Sequence, residues 1–467
     1  MEAPENAGGE PGFELTVGSD GVEAASTTAG VETADRFERY PSGNSSSAGA
    51  VANFVNTIVG AGIVGIPFAT SQSGLWAGIF MLCLAALLNY KSTTMLITAG
   101  EKVGRLNYEE LMEVYFGNAG THVFTLFAGV LAFGAMSAYL IIVGDTVPMI
   151  AHASGIETGA LADRASVIGI VGVFCMLPLS LLKDLSKLAY TSCLSVLADV
   201  LLTGIVLVAA SGATRELPDI DRSDVNTFIR PTIFAGFGAI SFAFVCQHSS
   251  FLVYRSMNER GVDRWATVTR WSVSIALVMS MTLGVAGYLS FADGTEGNIL
   301  NNFSHEHRPA TAARAFLALT MVFTYPIEMY VARHVLDVSL FQTCLGKGPI
   351  TTVRHYWITI IIWALTLTLA LSTANLGSVL EIFGAFGASA IGYILPPLLY
   401  MRSCGHELRQ AKAAWDKDSS EYEPALTERL WASRNFIVPV LMVLFGVVAM
   451  VAGVVTAVVG ELSHTKA

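Results

Sequence analysis

Residues 53–67 read Asn53-Phe54-Val55-Asn56-Thr57-Ile58-Val59-Gly60-Ala61-Gly62-Ile63-Val64-Gly65-Ile66-Pro67. The stretch is apolar enough to enter a bilayer, yet it interrupts its own helix. Gly60, Gly62 and Gly65 weaken the middle, and Pro67 lacks a backbone donor. Hydrocarbon cannot satisfy the N–H and C=O groups that such a break lays bare. The break is tolerated only where it lines a cavity inside protein and something polar fills the gap. In membrane carriers built from repeated units, the filler is the solute and its coupling ion.

The same letters spell Gly-x-Gly-x-x-Gly from Gly60 to Gly65. A dinucleotide site would need a preceding strand and an acid about 20 residues on. The flanks here are apolar and Ser73–Asn89 holds no acid, which argues against a nucleotide.

Working outward, the chain has 467 residues, 53% hydrophobic and 14% charged. A soluble domain carries about 25% charged residues. Here the charges cluster between long apolar runs, as in a polytopic all-α membrane protein. Residues 1–48 stand apart, with nine acids against Arg36 and Arg39, and hold most of the net charge of −10. Too few large apolar residues are present there to offset the entropy of ordering, so a disordered cytosolic tail is expected. The tail has no apolar h-region, so the first span is expected to direct insertion. Cys83, Cys175, Cys193 and Cys246 lie in apolar runs and Cys344 and Cys404 in loops. No pair has metal-ligand spacing, and structural thiols are expected.

About 20 helical residues cross the hydrocarbon core. Eleven candidate spans meet that length, near 49–73, 75–99, 121–151, 166–182, 187–211, 231–254, 267–291, 311–335, 355–373, 376–400 and 435–459. A transmembrane domain over 49–459 and a short tail at 460–467 follow. With the N-terminus inside, cytosolic segments hold 20 of the 27 Lys and Arg residues. That bias predicts a cytosolic N-terminus and a C-terminus on the luminal or extracellular side. Asn302-Phe303-Ser304, an N-glycosylation sequence, then faces outward.

A second interrupted span, from Pro231 to Phe244, carries Gly236 and Gly238 in the places of Gly60 and Gly62. The breaks fall in spans one and six. Five spans per unit is odd, so the second unit is inverted. Paired glycine-interrupted segments at corresponding positions point to a carrier's binding site. Close helix packing at small residues is the competing explanation.

The span-one motif from Asn56 to Pro67 resembles the opening helix of the amino acid/auxin permease superfamily, and within it the sodium-coupled neutral amino acid transporters. Gly144-Asp145-Thr146 ends span three, Ser241 to Tyr254 resembles the family's central helix, and span eight carries Tyr325-Pro326-Ile327-Glu328. The resemblance runs from about residue 49 to 459. It implies a LeuT-type fold of two inverted five-helix units plus one helix. It also implies movement of neutral amino acids driven by Na⁺ or H⁺, with no other cofactor. By the family pattern, span six unwinds nearer Ser241–Phe244 than Gly236–Gly238. Better-characterised sodium-coupled members carry an outer-loop disulfide for which this chain has no cysteine, and related vacuolar permeases are proton-driven. The organelle therefore stays open between plasma membrane and vacuole.

A zwitterionic substrate needs a place for each charge. Half-helix N-termini suit a carboxylate, which points to the amides around Gly60, Ala61, Gly62 and Ile63. Unwound carbonyls of Ser241, Phe242, Ala243 and Phe244 would take the ammonium, and Tyr139 would wall the pocket. Asn56 lies one turn before Gly60 and matches the family's ion-associated asparagine; with Thr324 it describes a Na⁺ site. Thr320 shares a face with Thr324, although membrane threonines commonly bond back to their own helix. Asp199 lies near the middle of span five, where an acid costs around 2.5–3.5 kcal/mol on insertion scales and marks a functional group. It is a proton-carrier candidate, as is His248 in span six. Glu328, Asp145 and Glu381 lie nearer span ends.

The partners expected are a neutral amino acid and the lipid bilayer, with no nucleic acid. A channel would show pore motifs or charge rings, and an enzyme a nucleophile–base pair or metal cluster; neither pattern is present. An amino acid sensor on the same fold, or a proton-coupled vacuolar or lysosomal exporter, shares every motif.

Overall fold

The computed structural model describes residues 43–182, 191–216, 225–337, 351–405 and 434–464. The bulk of the acidic tail, and residues 465–467, lie outside them. The described chain is almost entirely helical. The first span is a bent pair, α1 (Ser47–Val59) and α2 (Ile66–Ser73), joined by a 3-10 turn over Ala61–Gly65. There follow α3 (Leu75–Val103), α4 (Tyr108–Ala153), α5 (Arg164–Ser180) and α6 (Thr191–Glu216). The sixth span is again two helices, α7 (Ile233–Phe244) and α8 (Gln247–Ser256). The rest are α9 (Val262–Phe291), α10 (Arg308–Leu336), α11 (Thr352–Ser372), α12 (Leu376–Gly405) and α13 (Arg434–His464).

These helices fall on the eleven expected spans. Among the described residues, eight are long and apolar enough to cross a membrane, and the bent pair makes a ninth. α5 and the apolar part of α6 (Val196–Val208) are shorter. The third span begins earlier than expected, because α4 merges with an amphipathic lead-in across Gly117, whose φ of 64° only glycine adopts without strain. α1 starts at Ser47, capped by the Ser46 hydroxyl, and α13 runs on to His464.

Packing follows the repeat. The third and eighth spans, α4 and α10, lie along one another, while α7 is enclosed by α2, α12 and α13. Gly236 and Gly238 do not break α7; they let it approach its neighbours. A Cβ on Gly236 would sit 2.6 Å from the Ala69 carbonyl oxygen, and one on Gly238 would sit 2.5 Å from that of Glu381. Small residues serve close helix approach in this way.

At one end of the bundle Arg164 joins three spans. Its Nε donates to Asp145 Oδ1 at 3.0 Å, and its other nitrogens donate to the carbonyls of Ala370 (3.3 Å) and Thr373 (3.0 Å). Asn301, in the loop before α10, donates to Asp145 Oδ2 at 3.4 Å. At the opposite end, Ser45 forms a single parallel bridge with Met257. Its N–H donates to the Ser256 carbonyl and its carbonyl accepts from the Asn258 N–H, both at 2.9 Å.

Candidate functional site

The two breaks face each other. The axes of the first-span halves differ by 46°. Gly60 at the hinge has φ 31°, and Ala61 and Gly62 open the following turn, where N–H groups lack intrahelical partners. The Ile63 N–H is used within the turn, donating to the Gly60 carbonyl at 3.4 Å, and the Ile63 side chain is fully buried; it is not part of an anion cradle as expected. Gly62 touches the other break: a Cβ there would lie 2.5 Å from the Ala243 Cα and 2.8 Å from its Cβ.

The sixth span opens one residue beyond the expected stretch. Ser241–Phe244 are helical, ending α7, and the chain leaves the helix at Val245 and Cys246. The protein satisfies much of this break itself. Asn89 Nδ2 donates to the Phe244 carbonyl at 2.6 Å, and Asn89 Oδ1 accepts from Gln247 Nε2 at 2.8 Å. Gln247 Oε1 accepts the Cys246 N–H at 3.0 Å. Ser92 links this cluster to the Gly392 carbonyl of α12. Asn89, Ser92 and Gln247 were not singled out by the sequence. The available signal was a lone Asn in the middle of an apolar run.

A cavity of about 710 Å³ runs from the breaks toward the end of the bundle at which α1 begins. Asn56, Gly60, Gly62, Tyr139, Phe242, Ala243, His248 and Thr324 all line it. Thus span-one, span-three, span-six and span-eight candidates meet at one site. At the mouth, His334 and Glu109 pair at 3.0 Å, linking α10 to α4, with Arg255 also on the lining. None of the loop 295–307 lines the cavity. That loop packs over the far side, where a Cβ on Gly297 would meet Gly377 backbone.

Several candidates fall elsewhere. Ser241 and Phe244 are buried in α7 away from the lining, although the Phe244 carbonyl faces Asn89. Thr320 is buried off the cavity and donates to the Leu317 carbonyl at 2.8 Å; Thr324 donates to the Thr320 carbonyl at 2.8 Å. The back-bonds leave each hydroxyl's lone pairs available. Asp199 is buried, with Oδ2 unpartnered, but lies outside the lining. Asn302 is engaged in its loop: its Oδ1 accepts from the Glu296 N–H at 3.0 Å and its Nδ2 donates to the Gly294 carbonyl at 2.6 Å. The folded loop thus already uses both ends of the amide that a glycan would need.

A coupling Na⁺ would take oxygen ligands. The residues fit that requirement: Asn56 Oδ1 is buried, unpartnered and on the cavity wall that it shares with Thr324. His248 Nδ1 is likewise buried without a partner.

Broken spans in corresponding positions, facing one cavity open to one end, define a carrier-type membrane protein. The family model described as transmembrane amino acid transporter protein matches residues 43–423, and the chain belongs to that family. A zebrafish (Danio rerio) protein provisionally named sodium-coupled neutral amino acid transporter 11 is 33% identical over 362 residues, 77% of this chain and 80% of its own length. Vacuolar amino acid transporter 2 of Saccharomyces cerevisiae is 28% identical, covering 74% of each chain. Sodium-coupled neutral amino acid transporter 7 of Xenopus laevis is 29% identical over 80% of this chain and 85% of its own. Among solved structures, Mhp1, a nucleobase-cation-symport-1 family transporter in a closed conformation with bromovinylhydantoin bound, aligns with a TM-score of 0.54 at 14% identity. The alignment covers 91% of this chain and 94% of Mhp1. The fold is therefore the LeuT-type arrangement of two inverted five-span units, followed by one further span.

Proposed function

We propose that the protein is a secondary transporter of neutral amino acids, working by alternating access and coupled to Na⁺ or H⁺. The observation that carries this reading is the meeting of both helix breaks on one cavity whose wall holds the unpartnered Asn56 oxygen. The substrate carboxylate would sit at the N–H groups of Ala61 and Gly62, where the dipole end is positive. The ammonium would sit toward the C-terminal ends of α1 and α7. Tyr139 and Phe242, on the same wall, would contact the side chain. A bound Na⁺ would supply positive charge beside the carboxylate, held by Asn56 and Thr324. Asp199, buried and unpartnered, favours a second reading in which protons drive the carrier in an acidic organelle. With the N-terminus cytosolic, as the Lys and Arg bias supports, the cavity of this structure opens to the cytosol.

The test is uptake of a labelled amino acid panel into proteoliposomes under imposed Na⁺ or pH gradients. Saturable, gradient-driven accumulation is the expected result. Binding without flux for every amino acid would replace the transporter with a sensor on the same fold.

A further inference from the structure

Span eight carries an acid that the site described above leaves unused. Glu328 lies one turn beyond Thr324 on α10, and its side chain is on the wall of the same cavity. It shares that wall with Tyr139 of α4. Among the described residues it has no salt bridge. The cations on the lining are elsewhere: His334 is paired with Glu109, and Arg255 lies with them toward the mouth. His248 faces the cavity from α8, and Asp199 approaches on α6 but stays off the lining. Glu328 is thus a carboxyl group inside the transport cavity with no fixed counter-charge.

A carboxylate in such a place is expensive unless something neutralises it when the cavity closes. A neutral amino acid brings no net charge to do so. A proton does. We propose that Glu328 is the proton-carrying group that couples amino acid movement to a pH gradient. This rests on the transporter reading above.

The cycle balances simply. In the open state, water in the cavity delivers one proton to a Glu328 carboxylate oxygen and an O–H bond forms. The occluded complex, zwitterionic substrate plus protonated Glu328, then carries no uncompensated charge at this position. On the other side the O–H bond breaks and the proton leaves to that compartment, restoring the carboxylate. Asp199 does not line the cavity in this conformation, whereas Glu328 does. Access, rather than burial, separates the two acids.

The experiment uses full-length protein in proteoliposomes, with a pH gradient imposed in either direction and no Na⁺ gradient. Counterflow exchange of labelled substrate at equal pH is measured alongside. If one proton moves with each substrate, a gradient of about one pH unit supports up to about tenfold accumulation, since one unit is a factor of ten in proton activity. Glu328→Gln is expected to bring accumulation to about onefold while counterflow persists. Glu328→Asp, which keeps a titrating group, is expected to retain gradient-driven accumulation and to displace its pH profile. A Gln variant that accumulates like the parent overturns the proposal. So does a parent driven by Na⁺ with no response to pH, or an Asp variant with an unshifted profile. Loss of accumulation in Asp199→Asn but not in Glu328→Gln would move the role to Asp199. A parent with no counterflow would instead defeat the transporter reading itself.

Discussion

At the scale of single residues, Gly62 and Ala243 are the point where the two breaks touch. Gly62→Val is expected to abolish transport while leaving insertion intact. The valine side chain would push into the backbone of α7. Gly62→Ala places its methyl against the Ala243 Cα and should be impaired too, and adding Ala243→Gly, which removes only the Ala243 Cβ, should restore little of the uptake. Asn89 offers a separate test. Asn89→Leu would leave the Phe244 carbonyl without its partner inside the bundle and reduce Gln247 Nε2 to its bond with Ser92. An unsatisfied buried group costs about 1–3 kcal/mol, so a lowered unfolding temperature in detergent is expected, with uptake reduced. Asn56 was legible because its spacing from Gly60 is local. Asn89 was not, because its contacts reach residues 155 and 158 positions away.

At the scale of elements, the sequence located the first break and misplaced the second. The first depends on glycines and a proline inside the segment, and those letters are visible. The second opens at Val245 and Cys246, which carry no helix-breaking signature. Its backbone is held open by Asn89 and Gln247, side chains whose meeting only the fold creates. Gly236 and Gly238 looked like a break and proved to be contact points. Arg164 is the corresponding fixture of the scaffold helices. Arg164→Ala would strand the Asp145 carboxylate, whose side chain is 9% exposed, between α4 and the loop before α10. Breaking such a pair costs about 3–5 kcal/mol when fully buried, and the partial exposure of Arg164 puts the loss at or below the lower bound. Chemical denaturation in detergent would measure it; an unchanged midpoint would show the pair to be dispensable.

At the scale of the whole molecule, the order of the apolar helices was legible, and nine of the eleven expected spans reach crossing length among the described residues, because hydrophobic length is set by the bilayer and needs no tertiary information. So was the inverted repeat, from parity. Which way the bundle faces rests on the charge bias. Protease protection or tag accessibility is expected to place the N-terminus in the cytosol and the C-terminus across the membrane. Both ends on one side would mean an even number of crossings and would undo the inverted repeat.

The bridge between Ser45 and Met257 bears on how such a bundle can move. It fastens the chain just before α1 to the chain just after α8, the two half-helices that border the cavity mouth. A Cβ on Gly43 would run into the Ser256 backbone, so the fastening leaves no slack for a side chain. Two panels hinged separately could swing in any combination. Latched along one edge, they are expected to swing together. Cutting the bridge by Ser45→Pro, which removes the donating N–H, is expected to loosen the mouth of the cavity, seen as faster labelling of a cysteine placed there.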